Sequence, residues 1–232
     1  MTRPAWEAIG ILHRRAIAFG LLLLVSLPAT AQGVHPVSGR RIAGVMGVAG
    51  ANWLVRPERV AEENPEKAIR MLELKPGMTV ADIGAGVGYY SLKLAAAVGT
   101  SGKVYATDIQ PGMIERLRAT LAREGVRNVE AILSTATTTG LPDASMDLMI
   151  LVDVYHEFAE PQKMIAELRR SLKPGGRLVL FEFRKEDPGV PIREEHKMSV
   201  AEAKAELEAD GMVLEKVLED LPWQHMMFFR QR

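Results

Sequence analysis

The chain has 232 residues, of which 47% are hydrophobic and 25% are charged, a composition typical of one globular domain with a sizeable core. Lysine plus arginine equals aspartate plus glutamate at 29 each, so no strong overall charge favours binding to nucleic acid. The sequence contains no cysteine, which excludes a disulfide framework, thiolate zinc sites and cysteine nucleophiles.

The first 31 residues have the three-part layout of a secretory signal peptide. Two adjacent arginines precede an apolar run at residues 16–27, Pro28 ends the run, and small residues at 29–31 suit a cleavage site. The run is too short to span a bilayer, which needs about 20 residues. We therefore predict that residues 1–31 are cleaved near Ala31 and that the protein is exported to the periplasm. An uncleaved N-terminal membrane anchor and a buried helix are the alternatives.

Residues 32–55 are rich in Gly, Val and Ala without a clear period, and we predict a flexible lead-in. Residues 56–232 then form the predicted domain, because helix and strand patterns alternate there as in a parallel sheet covered by helices. In chain order the pattern predicts helices at 57–74, 89–98, 111–124 and 161–172, and strands at 78–83, 103–107, 129–133, 146–152 and 177–183.

The C-terminal part has a different pattern. A short helix at 200–210 is followed by strands at 212–218 and 224–230, which are separated by only five residues. Such a connection suits a hairpin and is too short for a parallel crossover. We therefore predict an antiparallel strand near one edge of the sheet.

The segment from Val80 to Gly88 reads Val-Ala-Asp-Ile-Gly-Ala-Gly-Val-Gly, between a predicted strand and a predicted helix. This arrangement presents backbone N–H groups and a positive helix end to a ligand, and glycine lets the ligand approach the backbone closely. Asp108, 20 residues after Gly88, ends the next strand and is placed to accept ribose hydroxyls. The dinucleotide fingerprint would require glycine at position 89, where this chain has Tyr89.

The pattern D-x-G-x-G-x-G, which begins at Asp82, resembles motif I of the class I S-adenosylmethionine-dependent methyltransferases, and the chain looks most like their type-11 group. The resemblance implies a Rossmann-like, seven-stranded, mostly parallel sheet with an antiparallel last strand and helices on both faces. The predicted hairpin agrees with that fold independently. The implied activity is transfer of a methyl group from S-adenosylmethionine to a small-molecule acceptor, with S-adenosylhomocysteine as product.

The resemblance also assigns cofactor contacts. The backbone of Gly84, Ala85, Gly86 and Gly88 would meet the methionine part of the cofactor. Asp82 would hold its ammonium group and Asp153 would face the same end, while Asp108 would bind the ribose and Ile109 would pack on the adenine. The family often has an acid or amide after the third strand for the adenine amino group. Here Thr135 stands in that segment, and a hydroxyl or a backbone carbonyl would have to substitute.

Residues 153–158, Asp-Val-Tyr-His-Glu-Phe, follow the fourth predicted strand and therefore lie at the catalytic rim. Methyl transfer needs a positioned nucleophile and, for a hydroxyl or acidic carbon, a base. We predict that His156 is that base and that Asp153 has a catalytic role. The alternative is that His156 caps the following helix or contacts a backbone carbonyl.

Further substrate contacts are predicted at Trp53, Arg56, Tyr89 and His196. In related methyltransferases the N-terminal segment folds over the active site, so Trp53, Arg56 and Arg59 would belong to a lid; a surface helix start with one packing tryptophan is the alternative. His196 precedes the last helix, where the family carries substrate loops, and a solvated loop histidine is its alternative.

No metal site is predicted, because the histidines at 156, 196 and 225 are scattered and no H-x-x-x-H motif occurs. The predicted partner is a small molecule, with no nucleic acid and no stable membrane span after cleavage. Two other functions stay open at this point. One is a non-catalytic S-adenosylmethionine-binding protein, and the other is a nicotinamide-dependent oxidoreductase.

Overall fold

A computed structural model describes residues 33–232, so the predicted signal peptide lies outside the described residues. The strands are β1 (Thr79–Ile83), β2 (Lys103–Asp108), β3 (Val129–Leu133), β4 (Met146–Val152), β5 (Leu172–Arg184), β6 (Lys197–Met198), β7 (Met212–Leu218) and β8 (Gln224–Gln231). The helices are α1 (Arg59–Glu63), α2 (Pro65–Met71), α3 (Tyr89–Val98), α4 (Pro111–Arg123), α5 (Pro161–Ser171) and α6 (Val200–Ala209). None of the helices described is long and apolar enough to cross a membrane.

The strands form one sheet in the order β3-β2-β1-β4-β5-β8-β7, and the two-residue β6 pairs with the end of β5. Strands β1 to β5 run parallel, whereas β8 is antiparallel to both β5 and β7. The predicted fold class is therefore confirmed, including the C-terminal hairpin and the antiparallel last strand. The sequence order reverses between β1 and β4, which places a switch point beside the glycine loop.

Helices cover both faces of the sheet. Apolar residues of α2 and α3 pack on one face together with Leu148 and Ile150 of β4, and α4 packs on the same face over β2. Residues of α5 and α6 pack on the other face with Met149 and Leu151 of β4. Because both faces of β4 are buried, this strand needs apolar residues at successive positions, which explains its unbroken apolar run.

The helix predicted at 57–74 is interrupted at Asn64. This residue has a left-handed backbone (φ 47°), and its side chain accepts a hydrogen bond from the backbone N–H of Lys67 at 3.2 Å. Pro65 takes the first position of α2, where its missing N–H costs no helical hydrogen bond. Two short helices therefore replace one, because an asparagine cap and a proline at the first helical position favour a new helix there.

The segment predicted as a flexible lead-in is instead packed against the domain. His35, Ile42 and Ala43 are buried, and residues 48–55 form a 3₁₀ helix. Arg40 donates to Glu206 of α6 through Nε at 2.8 Å and Nη2 at 3.1 Å. The composition of this segment gives no sign of order, because some of its partners lie 166 residues or more away in the chain.

Candidate active site

A cavity of about 680 Å³ opens at the carboxyl ends of β1, β2 and β4. One end is bounded by the glycine loop and by the segment after β3, and the other by the loops that follow β4 and β5. Residues 44–47 and the 3₁₀ helix that carries Trp53 and Leu54 cover the opening. A ligand site at the switch point of an open α/β sheet is expected for this topology.

Gly84 and Gly86 form part of the cavity wall, and both have a left-handed backbone, with φ of 69° and 55°. A Cβ at Gly84 would come within 2.6 Å of Val154 Cγ2, and one at Gly86 within 2.8 Å of Leu54 Cδ1. Side chains are therefore excluded here both by conformation and by space. This leaves backbone as the surface that a ligand would meet.

Gly88 and Ala85 do not line the cavity. A Cβ at Gly88 would come within 2.5 Å of Leu117 Cδ1, so this glycine allows the close packing of α4 on the start of α3. The N–H of Ala85 donates to the carbonyl of Thr107 at 2.8 Å, which ties the loop to β2. In the structure, both residues shape the loop from behind rather than form the cavity wall.

Asp108 lies at the end of β2, and its carboxyl group is on the cavity wall. Its oxygens accept hydrogen bonds from the backbone N–H groups of Gly86 at 3.0 Å and Gln110 at 2.8 Å. Burial raises the pKa of Asp108, and these hydrogen bonds act in the opposite direction. Each carboxylate oxygen keeps one free lone pair for a ligand hydroxyl.

Ile109 and Thr135 lie beside Asp108 on the same wall. The Ile109 side chain is 43% exposed although it is apolar, as a surface for stacking a ring would be. The hydroxyl of Thr135 accepts hydrogen bonds from the N–H groups of Thr137 and Thr138 within its own turn. The hydroxyl is therefore engaged locally in the structure, and its predicted contact with adenine stays a prediction.

Asp82 is buried beneath the glycine loop and is not part of the cavity wall. Its Oδ2 accepts a hydrogen bond from Ser91 Oγ of α3 at 2.6 Å. Burial raises the pKa of Asp82 to about 7, although the Ser91 hydrogen bond and the charge of Arg59 lower it. In the structure this carboxyl group joins β1 to α3, and contact with a ligand ammonium would need the loop above it to open.

Asp153 lies on the cavity wall directly after β4, which pairs with the strand that leads into Gly84, and its backbone is unusual for a non-glycine residue (φ 54°). Its Oδ2 accepts a hydrogen bond from Gln224 Nε2 at 2.7 Å, whereas its buried Oδ1 has no hydrogen-bond partner among residues 33–232. An unpartnered buried carboxyl oxygen is costly unless something binds it. Together with the bare backbone of Gly84 and Gly86 and the carboxyl of Asp108, it suits a ligand with hydroxyls at one end and a cation at the other. S-adenosylmethionine is such a ligand, so the residues present fit it.

His156 lies two residues beyond Val154, in a 3₁₀ turn after β4, and is almost fully buried at the far end of the cavity. Its Nδ1 donates to Glu182 Oε2 of β5 at 2.6 Å, and its Nε2 lies 3.1 Å from His196 Nδ1. Burial disfavours the charged imidazole, but the carboxylate of Glu182 outweighs it and raises the pKa of His156. The backbone carbonyl of His156 accepts from Arg40 at 3.0 Å, so the N-terminal segment also holds this turn.

His196 joins this group from the short turn before β6, and Glu157 joins it from the neighbouring position in the chain. One ligating atom of each of His156, Glu157 and His196 lies within 4.8 Å of the others. The prediction that the histidines are scattered is therefore wrong for His156 and His196, which the β5–β6 loop brings together. It holds for His225, which is buried between Glu186 and Glu219.

Trp53 lines the cavity as predicted for a lid residue, but Arg56 and Tyr89 do not. The guanidinium of Arg56 stacks on the outer side of Trp53, 3.5 Å from the ring centroid. The ring of Tyr89 lies against Arg59, whose guanidinium is 4.3 Å from its centroid. Arg59, the third residue predicted for the lid, does reach the cavity wall, and it pairs with buried Glu63 at 2.7 Å.

Two residues of the site were missed by reasoning from the sequence, namely Glu157 and Glu182. Glu182 stands in an otherwise apolar strand, and a buried charge in such a strand is a signal of a polar partner. Glu157 belongs to the segment that the sequence singled out, next to His156.

The chain was also compared with known proteins. Residues 81–180 match the family described as a methyltransferase domain, type 11. A solved S-adenosylmethionine-dependent methyltransferase from Aquifex aeolicus superposes with a TM-score of 0.76 and 31% identity, over 80% of this chain and 98% of that one.

The names of two curated relatives specify different atoms, carbon and oxygen, as the acceptor of the methyl group. A ubiquinone/menaquinone biosynthesis C-methyltransferase from Hydrogenovibrio crunogenus is 33% identical over 119 residues, which is 51% of this chain and 47% of the relative. A protein-L-isoaspartate O-methyltransferase from Methanothrix thermoacetophila is 34% identical over 110 residues, which is 47% of this chain and 50% of the relative. The chain thus spans about half the length of the curated relatives it matches.

These findings decide between the functions that the sequence left open. The match to the Aquifex enzyme covers nearly all of that protein, and the glycine loop, Asp108 and Asp153 provide a fitting cavity. A nicotinamide-dependent oxidoreductase and a non-catalytic binding protein are therefore set aside. The chain belongs to the class I S-adenosylmethionine-dependent methyltransferases and is an enzyme of that family.

Proposed function

We propose that the enzyme methylates a small molecule with an apolar body and one polar, proton-bearing atom, bound at the His156 end of the cavity. The observation that carries this proposal is the make-up of that end. Phe158, Met164, Phe183 and Ile192 line it with apolar surface, and its polar side chains are His156, Glu157, Arg193 and His196. Pockets of this kind bind the apolar body by burial and orient the molecule through the few polar groups.

The chain's own residues would position the reactants. S-adenosylmethionine supplies an activated methyl group, so the protein's task is to align the acceptor atom and to allow its proton to leave. Asp153 stands on the wall between the glycine loop and His156, which supports its assignment to the methionine end of the cofactor. His156 stands beyond it, which supports its assignment to the acceptor. Trp53 and Arg59 would close the cavity over both ligands.

The named relatives support methyl transfer in general rather than one acceptor. One is named for transfer to carbon and the other for transfer to oxygen of a protein residue, and each matches about half of its length. A carbon or an oxygen atom can accept the methyl group from the same donor, so the relatives do not identify the acceptor. The acceptor class proposed here is therefore argued from the residues that line the cavity. Hydroquinones and phenols combine an apolar ring with an ionisable oxygen and suit it best.

The test is methyl transfer measured with a panel of phenols, hydroquinones, aromatic amines and an isoaspartyl peptide, by product mass and by formation of S-adenosylhomocysteine. We expect turnover with a ring-hydroxyl compound and loss of turnover in His156→Ala, with S-adenosylhomocysteine binding retained. Turnover of the isoaspartyl peptide alone, or full activity of His156→Ala, would contradict the proposal.

We further propose that residues 1–31 direct export of the enzyme to the periplasm. The support is the layout of charged, apolar and small residues in that segment. Sequencing the N-terminus of the protein from a periplasmic fraction tests this. A start at Gln32 is expected, whereas a membrane-bound protein that keeps Met1 would show an uncleaved anchor instead.

A further inference from the structure

His156, Glu157 and His196 form a cluster that no sequence motif indicates, and each of them lines the cavity. We propose that this cluster binds one divalent transition-metal ion of the Zn²⁺ type, with a coordination position open to the acceptor. The ligands are Nε2 of His156, Nδ1 of His196 and one carboxylate oxygen of Glu157. The inference deepens the proposed function, because a bound ion would activate the acceptor. It rests on that function only for the assignment of the acceptor to the His156 end of the cavity.

The distances suit such an ion. His156 Nε2 lies 3.1 Å from His196 Nδ1, and His196 Nδ1 lies 3.9 Å from Glu157 Oε1. Metal–ligand bonds of about 2.0–2.2 Å in a tetrahedron separate neighbouring ligands by roughly 3.3–3.6 Å. Both distances lie within about 0.5 Å of that range, so these two pairs need only small side-chain movements to bind one ion. Two imidazoles and one carboxylate make up a set that favours zinc and its neighbours over Mg²⁺ or Ca²⁺.

Glu182 prepares His156 for this role. Its Oε2 accepts the Nδ1–H of His156 at 2.6 Å, and its Oε1 accepts the backbone N–H of Tyr155 at 3.0 Å. The carboxylate thus fixes the tautomer in which Nε2 carries a lone pair instead of a proton. A ligating histidine that is held by a carboxylate in this way is the usual arrangement at zinc sites.

The site keeps a place for a fourth ligand. Structural zinc sites have four protein ligands, whereas catalytic sites have three and leave one position to water or substrate. Here the three ligands face the cavity, so an oxygen or nitrogen atom of the acceptor can take the fourth position. Bound to the ion, an acceptor hydroxyl loses its O–H proton to water more easily and keeps a lone pair for the methyl group.

Arg193 should disfavour binding of the ion, so a variant at this position gives a specific test of the proposed site. Its Nη2 donates to His196 Nε2 at 3.0 Å, which places the proton of a neutral His196 on Nδ1, the proposed ligand atom. Binding of the ion therefore requires the other tautomer, with Arg193 turned away. This side chain is 66% exposed and already lies 3.5 Å from Glu195, so it can leave. Replacing Arg193 removes both a competing hydrogen bond and a nearby positive charge.

The experiment is calorimetric titration of chelator-treated protein with Zn²⁺, in the absence of cofactor and acceptor, with a chelator-buffered series for tight binding. We expect one ion per chain, binding weakened by 100-fold or more in His196→Ala, and weakened by about 10–100-fold in Glu182→Gln. Arg193→Ala should bind the ion more tightly than the unaltered protein. His225→Gln is the matched control and should bind normally, because the two nitrogens of His225 face different carboxylates.

Absence of stoichiometric binding, or equal affinity in His196→Ala, would overturn the proposal. In the first case His156 would be left with the role of a base, as the sequence predicts. The outcome is independent of methyl transfer, because the titration contains neither substrate. Loss of methyl transfer with intact ion binding would instead count against the proposed acceptor class. Circular dichroism of each variant separates a lost ligand from a lost fold.

Discussion

Gly84 packs so closely on Val154 that a methyl group at its α-carbon would lie 2.6 Å from Val154 Cγ2. Val154 belongs to the segment between Asp153 and His156, so this contact joins the glycine loop to the acceptor end of the cavity. We predict that Gly84→Ala weakens binding of S-adenosylhomocysteine by at least tenfold, because the loop and the segment after β4 must separate. Isothermal titration measures this directly.

The matched control for that variant is Gly125→Ala. Gly125 has nearly the same positive φ, 66° against 69° for Gly84, but nothing lies within 4 Å of the place that a methyl group on its α-carbon would take. Both variants carry the conformational cost of roughly 1 kcal/mol for a left-handed non-glycine residue. Only Gly84→Ala should lose ligand affinity, and equal losses in the two variants would show that backbone strain alone is responsible.

The buried carboxyl group of Asp82 should make the free energy of unfolding depend on pH. Burial raises its pKa to about 7 from an ordinary value of 3.8, so between these values the folded chain binds more protons than the unfolded chain. The free energy of unfolding therefore falls as pH rises from about 4 to 7, by up to about 4 kcal/mol from this group. Asp82→Asn keeps an acceptor for Ser91 and removes the charge.

The comparison is urea unfolding of Asp82→Asn and of the unaltered protein at pH 5 and pH 8. We expect the variant's advantage in unfolding free energy to be larger at pH 8, where the unaltered protein must bury a charge. Using the difference between the two proteins cancels the other titrating groups. A constant difference across the range would mean that Asp82 does not titrate in this window.

Replacing Glu182 by glutamine should lower turnover without weakening cofactor binding. Glu182→Gln keeps an oxygen for the N–H of Tyr155 but no longer enforces the Nδ1–H tautomer of His156. We expect kcat to fall by about 10–100-fold, as for other carboxylates that orient a functional histidine. S-adenosylhomocysteine should bind as before. Glu215→Gln, in an exposed ion pair with Arg230, is the control, and comparable activity in both variants would contradict the assignment.

Replacing Arg40 should lower the free energy of unfolding strongly, although this residue lies in the segment that the sequence predicts to be a flexible lead-in. Its guanidinium pairs with fully buried Glu206, and replacing it by methionine would leave that carboxylate with weaker partners. We expect a loss of about 3 kcal/mol in unfolding free energy. Arg41→Met, at an exposed neighbouring position, should change it by less than about 0.5 kcal/mol. Thermal and urea unfolding compare the two, and equal stabilities would show that the segment does not anchor to α6.

The sequence by itself determined the fold class and the place of the cofactor site. Both depend on local patterns: apolar periodicity defines the strands, a five-residue connection requires a hairpin, and the glycines from Gly84 to Gly88 require a bare, left-handed loop. The spacing from the glycine loop to Asp108 follows from the one helix and one strand, α3 and β2, that lie between them in the chain. Such signals lie within a few tens of residues and hardly depend on the rest of the chain.

Only the tertiary structure decided what surrounds the acceptor. His156 meets Glu182 and His196 across 26 and 40 residues, and Arg40 meets Glu206 across 166. These contacts depend on the sheet order β4-β5 and on the course of the loop before β6, neither of which has a local signature. Burial likewise decided which acids keep a raised pKa, because the cost of a charge depends on the atoms packed around it and not on its neighbours in sequence.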